Sequence, residues 1–200
     1  VYKRQATYMD GTTDITRTYP LGPLTEDEKR FYTWTLQSHI DLAKAVWLDY
    51  CECKMIDTIA REPLWRHLIN YRCGTGHSVS FVGNVHEGPH ALNSRNTTRM
   101  RPGMVVTDEP GVYETDLVGI RIENELVCVH KADNQYGTFL GFEPLMFVPI
   151  ATSPILPGVL DKDEIAWLND YHRQVFAKLA PHLNDEERSW LAEKCAAIGC

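Results

Sequence analysis

Apolar and polar positions alternate from Ala6 to Tyr19, interrupted by an Asp10-Gly11 pair, and this predicts two antiparallel strands joined by a tight turn. Thr25-x-x-Glu28 then reads as a capping box. From about Glu26 to Asp49 the residues Phe31, Leu36, Ile40, Ala43 and Val46-Trp47 recur at helical spacing as one buried stripe. A second helix is expected from about Lys54 to Ile69, kinked or divided at Pro63. Gly-rich and Pro-rich segments then separate short strands near 76–83, 104–109, 119–130 and 139–150, the last two rich in Val, Ile and Phe. Two helices close the chain at about 161–180 and 185–197, each with an acidic first turn, and Asn184-x-x-Glu187 approximates a capping box for the second. Their apolar positions, including Leu160, Trp167-Leu168, Tyr171, Val175, Trp190 and Leu191, predict a helical hairpin packed on the body. A homodimer contact through the same tryptophans is the alternative use of that surface.

Composition narrows the picture without changing it. Two hundred residues with 44% hydrophobic content support one core. A net charge of -7 points away from nucleic acid and anionic membrane as partners, because both reward clustered Lys and Arg. No apolar run approaches the roughly 20 residues a membrane helix needs, and no signal-peptide pattern opens the sequence. Six cysteines at 51, 53, 73, 128, 195 and 200 form no Cys-x-x-Cys pair, which fits reduced thiols in the cytoplasm. The opening Val-Tyr-Lys-Arg-Gln is basic and does not join the alternation that follows. Read in frame, a common transposon-end sequencing adapter translates to this pentapeptide, so residues 1–5 are expected to be non-native, with native sequence beginning at Ala6.

Chemistry concentrates in four short motifs: Gly-Thr-Thr-Asp-Ile-Thr-Arg-Thr at 11–18, Gly-Thr-Gly-His at 74–77, Thr-Asp-Glu-Pro-Gly at 107–111 and Gly-Ile-Arg-Ile-Glu-Asn at 119–124. They contribute Asp14, His77, Glu109 and Glu123. Three carboxylates and one imidazole suit a pair of borderline-hard divalent ions, which share carboxylates when they sit about 3.5–4 Å apart. Residues two apart on a strand point the same way, so the carboxylates are expected to converge on one sheet face, with His77 closing the site from a Gly-rich loop. Two ions there share a water or hydroxide of lowered pKa that attacks a polarised carbonyl.

These motifs, in the order Asp, His, Glu, Glu, resemble those of aminopeptidase P, the Xaa-Pro aminopeptidases of the pita-bread (creatinase-like) metallopeptidase family. The likeness runs from Ala6 to the end and includes Asn84-Val85-His86-Glu87-Gly88-Pro89, Gly141-Phe142-Glu143-Pro144-Leu145 and Trp167-Leu168-Asn169-x-Tyr171-His172. It implies an α/β (α+β) pita-bread fold, a curved antiparallel sheet flanked by helices with a C-terminal helical hairpin. The catalytic domain would span 6–152, truncated at its N-terminus, and the helical extension 153–200. The implied activity is removal of the N-terminal residue from peptides with proline second, using two divalent ions, Mn(II) by preference and Co(II) or Zn(II) as alternatives. Asp14 and Glu123 would bridge the ions while His77 and Glu109 ligate one of them. The other would take a further Asp eleven positions before Asp14, where this sequence has Lys3; a protonated ammonium offers no lone pair, so the chain is expected to bind that ion poorly and to be impaired as it stands.

The resemblance also gives His86 a substrate or oxyanion contact and makes Glu109 a proton shuttle. Arg121, two before Glu123, is expected to orient that carboxylate, with Tyr113 beside it. Cys73 stands where some relatives carry a substrate histidine. His39, His67, His90, His130, His172 and His182 read as surface or satisfied core. Prolidase or methionine aminopeptidase activity on the same ligands, or a non-catalytic peptide-binding module, are the competing readings.

Overall fold

The computed structural model describes residues 2–199, and the side chains from residue 5 onward. Strands β1 (Tyr2–Tyr8) and β2 (Gly11–Arg17) form a two-stranded antiparallel sheet. The turn between them is Met9-Asp10 rather than Asp10-Gly11: Tyr8 pairs with Gly11, whose φ of 147° glycine tolerates where the strand begins. The backbone of residues 2–5 continues the ladder.

Helix α1 (Glu26–Ala43) starts at the expected Thr25–Glu28 capping box. It stops six residues earlier than the apolar spacing predicts. Val46 and Trp47 belong instead to strand β3 (Val46–Leu48), which pairs with a strand nearly a hundred residues away. In consequence Val46 is exposed while Trp47 packs in the core. Helix α2 (Cys53–Trp65) ends four residues earlier than expected, and Pro63 lies in its last turn, where it ends the helix rather than dividing it.

Strands β4 (Gly76–Ser78), β5 (Glu87–Leu92), β6 (Val105–Asp108), β7 (Gly111–Glu114), β8 (Val118–Arg121), β9 (Asn124–Asn134) and β10 (Gly137–Pro144) complete the β structure. Six of the ten form one antiparallel sheet in the order β3-β10-β9-β6-β4-β5, while β7 and β8 make a separate hairpin. The expected strand at 119–130 is therefore two strands, broken at Ile122-Glu123, and that at 139–150 ends at Pro144. Helices α3 (Lys162–Leu179) and α4 (Asp185–Lys194) close the chain, each with a capping box, at Asp161–Glu164 and Asn184–Glu187.

Two apolar layers sandwich the site. Ile56, Ala60, Leu92, Val106, Leu126, Leu140 and Phe142 join α2 to one face of the large sheet. Leu36, Ile40, Ile122, Ile150, Leu168, Tyr171 and Val175 join α1 to α3 and to the segment preceding Glu123. Trp167 packs against both layers, which leaves Trp190 as the solvent-facing tryptophan of the terminal helices.

Candidate metal centre

Each of the four predicted ligands is held by named contacts, some within its own motif and some from another segment. Asp14 lies on β2 opposite Gln5, whose Nε2 donates to Asp14 Oδ2 at 2.7 Å. His77 is carried by β4 after a loop that Thr75 anchors: its hydroxyl donates to the buried Asp57 carboxylate, which also takes the Arg61 guanidinium at 2.8 Å. Arg61 in turn ties down the carbonyls of Tyr71 and Cys73. Gly76 is obligatory here, since a Cβ would lie 1.7 Å from the Thr107 carbonyl oxygen of β6. Glu109 follows β6, with its N–H donating to Thr75 O at 2.7 Å and its Oε1 accepting from the Thr107 hydroxyl at 3.0 Å. Glu123 sits in the break between β8 and β9; its N–H donates to Thr16 O at 3.0 Å, and its carboxylate accepts from the Thr16 hydroxyl.

The structure brings all four together. His77, Glu109 and Glu123 present donor atoms within 4.8 Å of one another, and so do Asp14, His77 and His86. His77 Nδ1 faces the Ser78 carbonyl at 3.0 Å, which turns Nε2 toward Glu109 Oε1 at 3.0 Å and Asp14 Oδ2 at 3.5 Å. The carboxylates converge, but only Asp14 does so from within a strand; Glu109 and Glu123 lie just past strand ends.

Asp14 and Glu123 are fully buried and Glu109 nearly so. Burial works against a charged ring at His77, yet the hydrogen bonds to Asp14 and Glu109 outweigh it and lift the imidazole to about 10. The carboxylates thus favour positive charge at this point, which is the electrostatic environment a divalent ion would meet. Oxygen donors with one imidazole also match the preferences of such ions.

The Arg121 guanidinium binds the carboxylate of Glu109, and the charge of Glu123 also acts on it; β8 ends at Arg121, so two-residue alternation does not by itself carry across to Glu123. The same guanidinium donates to Cys73 Sγ at 3.3 Å and lies 5.5 Å from the Tyr113 ring centre, so Tyr113 does join this network. Cys73 therefore stands beside the Arg121–Glu109 pair. His86 is exposed, with its ring centre 4.1 Å from that of His77. The side chain of Lys3 lies outside the described residues; its backbone is paired with Thr16.

Three contributors escape sequence reasoning. Glu125, buried on β9, accepts the Asp14 N–H, and burial lifts its carboxyl to about 7 while that hydrogen bond opposes the shift. A charged residue before the apolar run Leu126-Val127-Cys128-Val129 was the available signal. Arg17 donates from Nε to Pro149 O, from Nη1 to the carbonyls of Thr16 and Glu123, and from Nη2 to Asn124 Oδ1, Val148 O and Tyr171 Oη, linking Glu123 to α3. His39, buried as expected, pairs with Asp108 at 3.1 Å, directly before Glu109. Burial raises the Asp108 carboxyl to about 6 against the pull of His39. An open cavity of about 780 Å³ lies beside the ligands rather than around them, with Ser78 and Glu125 in its wall.

Comparison with known proteins agrees with this geometry. The model of metallopeptidase family M24 matches residues 5–130, and that of the C-terminal region of peptidase M24 matches residues 138–198. Aminopeptidase P1 of Lotus japonicus is 41% identical over 200 residues, covering 97% of this chain and 30% of the relative. Aminopeptidase P2 of Arabidopsis thaliana is 44% identical over 193 residues, covering 93% and 27%. Among solved structures, an X-prolyl aminopeptidase from Caenorhabditis elegans, described as a cytosolic enzyme with a di-nuclear active site, superposes with a TM-score of 0.92 at 38% identity, covering 98% of this chain and 33% of that one. Prolidase from Pyrococcus furiosus gives a TM-score of 0.60 at 28% identity over 72% of this chain and 39% of its own. The fold is thus the pita-bread fold of these enzymes, and the chain spans about a third of the length of the relatives it matches.

Proposed function

Because the chain belongs to metallopeptidase family M24, we propose that it is the metal-binding catalytic part of an Xaa-Pro aminopeptidase, with residues 6–152 forming the site and the helices from 153 onward bracing it. The observation that carries this reading is the convergence of Asp14, His77, Glu109 and Glu123 within a buried cluster. These four residues would hold the metal, and the fully assembled site would take two divalent ions, as the nematode relative is described. Such ions supply Lewis-acid activation of water and of a peptide carbonyl at neutral pH, and Mn(II) suits a carboxylate-rich set, with Co(II) and Zn(II) close behind.

The chain's own residues then manage position and protons. Arg121 holds one oxygen of Glu109 and leaves Oε1 directed into the site, where it can take the proton of the attacking water and deliver it to the proline nitrogen as the C–N bond breaks. That delivery matters because the leaving nitrogen belongs to proline, which has no backbone hydrogen and whose ring fixes φ, so ordinary peptidases accommodate the bond badly. His86, exposed and with its ring centre 4.1 Å from that of His77, would meet the substrate carbonyl. A prolidase-type reading shares the ligands; what supports the Xaa-Pro reading is that relatives named aminopeptidase P match nearly the whole chain, terminal helices included, at about 40% identity. Among the described residues no helix is long and apolar enough to cross a membrane, and the described cysteines are free thiols, which supports a cytosolic setting.

Position 3 stands two residues from Gln5 on the same strand face and pairs with Thr16, whose hydroxyl binds Glu123. A carboxylate there would complete the five-ligand set, so the activity test uses the Lys3→Asp chain. With Mn(II) it should release arginine from Arg-Pro-Pro and leave Ala-Ala-Ala intact. Equal turnover of both peptides, or of neither, defeats the assignment.

A further inference from the structure

Two of the four ligands are glutamates that lie just past the end of one ladder. Strands β6 and β9 pair as far as Asp108 and Asn124; Glu109 follows the first of these and Glu123 precedes the second. Behind that last pair stands His39 of α1, and all three side chains are fully buried. His39 Nδ1 lies 3.1 Å from Asp108 Oδ2 and Nε2 lies 3.4 Å from Asn124 Nδ2, so one ring spans the neighbours of both glutamates. The Trp167 ring meets it edge to face at 5.9 Å, which limits its rotation.

Arg17 sets the hydrogens along this line of contacts. A guanidinium can only donate, and Arg17 Nη2 reaches Asn124 Oδ1 at 2.8 Å, so the amide oxygen faces Arg17 and the amide NH2 faces His39. Nε2 of His39 is then the accepting nitrogen. The ring hydrogen is left on Nδ1, directed at the Asp108 carboxylate. Donation therefore runs one way, from Arg17 to Asn124 to His39 to Asp108, and Arg17 also donates to the Glu123 carbonyl. Leu36 and Ile40 of α1 are buried and apolar, and an apolar side chain at position 39 would avoid the cost of desolvating the ring. What the ring adds is a fixed separation between two segments.

We propose that His39 is a positioning residue of the metal centre: by tying Asp108 to Asn124 it sets the spacing of Glu109 and Glu123, and so the affinity for the ion they share. The proposal rests on the metal-centre reading above and adds a residue that acts through the neighbours of two ligands. Without the ring the last β6–β9 pair keeps its backbone partners, but the side chains that brace it lose their link. His77, Glu109 and Glu123, whose donor atoms lie within 4.8 Å of one another, would then hold an ion less tightly.

The test measures Zn(II) binding to the metal-free chain by calorimetry, beside thermal melting without metal. His39→Met removes both contacts at similar volume and should bind at least about tenfold more weakly. His39→Gln keeps one donor and one acceptor and should recover most of the affinity. Leu191→Ala, at a buried position of α4, is the control: its melting temperature should fall while Zn(II) binds as in the unmodified chain. Undiminished affinity in His39→Met, or an equal loss in Leu191→Ala, would overturn the proposal and leave the metal centre standing. Nitrogen NMR of labelled histidines in the unmodified chain keeps the test decisive if His39→Met does not fold. The His39 ring, assigned by its loss in His39→Gln, should carry its hydrogen on Nδ1; a hydrogen on Nε2 would overturn the order of donation and the proposal with it. No Zn(II) binding by the unmodified chain, with Mn(II) and Co(II) also failing, would overturn the centre and the proposal together.

Discussion

Replacing Arg17 by Met keeps the aliphatic stem and removes a buried guanidinium that reaches six acceptors on four segments: Thr16, Glu123 and Asn124, Val148 and Pro149, and Tyr171 of α3. Some of these have other partners, since Tyr171 Oη lies 3.0 Å from Val148 O and 3.3 Å from Asn124 Oδ1. Each buried acceptor left unpaired costs about 1–3 kcal/mol, and the loss of a network of this kind is expected to reach about 4 kcal/mol. At about 2–4 °C per kcal/mol for a chain of this size, the melting temperature should fall by roughly 8–16 °C. The comparison is Arg30→Met, which breaks the exposed pair with Asp27 and should cost at most about 1 kcal/mol. Thermal unfolding followed by circular dichroism on the metal-free proteins measures both. If Arg17→Met melted within about 2 °C of the parent, the claim that Arg17 braces the Glu123 segment against α3 would be wrong.

Two further outcomes follow from the site and its supports. Arg121→Met should weaken Zn(II) binding about 10–100-fold in calorimetry, by freeing the Glu109 carboxylate, while Arg121→Lys recovers only part because a point charge replaces the guanidinium fork. Unchanged affinity in Arg121→Met would show that Glu109 needs no such hold. His172 is buried, and burial followed by the charge of Arg17 lowers its pKa from 6.5 to about 4. Because the unfolded ring binds a proton more readily, this contribution to stability is whole above pH 6.5 and is lost as the pH falls toward 4, on the order of 3 kcal/mol in all. Urea midpoints at pH 7 and pH 5 should therefore diverge less in His172→Gln than in the parent; an equal divergence would remove His172 from the acid response.

The candidate ligands could be read from the sequence because each sits in a short, recognisable motif, and within one of them the support is local: Thr107 holds Glu109 two residues on. The capping boxes of α1 and α4 were legible as contacts three residues apart. What stayed hidden was set by distant partners. Val46-Trp47 continue the helical spacing of α1, yet the free edge of β10 draws them into a strand. Strand β5, with Glu87-Gly88-Pro89, has little strand character of its own and gains it from β4. The pairing of Arg121 with Glu109 is not given by alternation, because strand structure lapses at Ile122-Glu123, and Arg17 and Glu125 acquire their roles only when segments a hundred residues apart meet.

Position 3 carries Lys where the resemblance implies a carboxylate, so this chain should hold fewer ions than the complete centre of an M24 peptidase. Elemental analysis after gel filtration, comparing the unmodified chain with Lys3→Asp at saturating Mn(II), measures the difference. At most one ion per chain is expected, rising to two on the substitution. Two tightly held ions in the unmodified chain, or no gain in Lys3→Asp, would show that Lys3 does not limit the site.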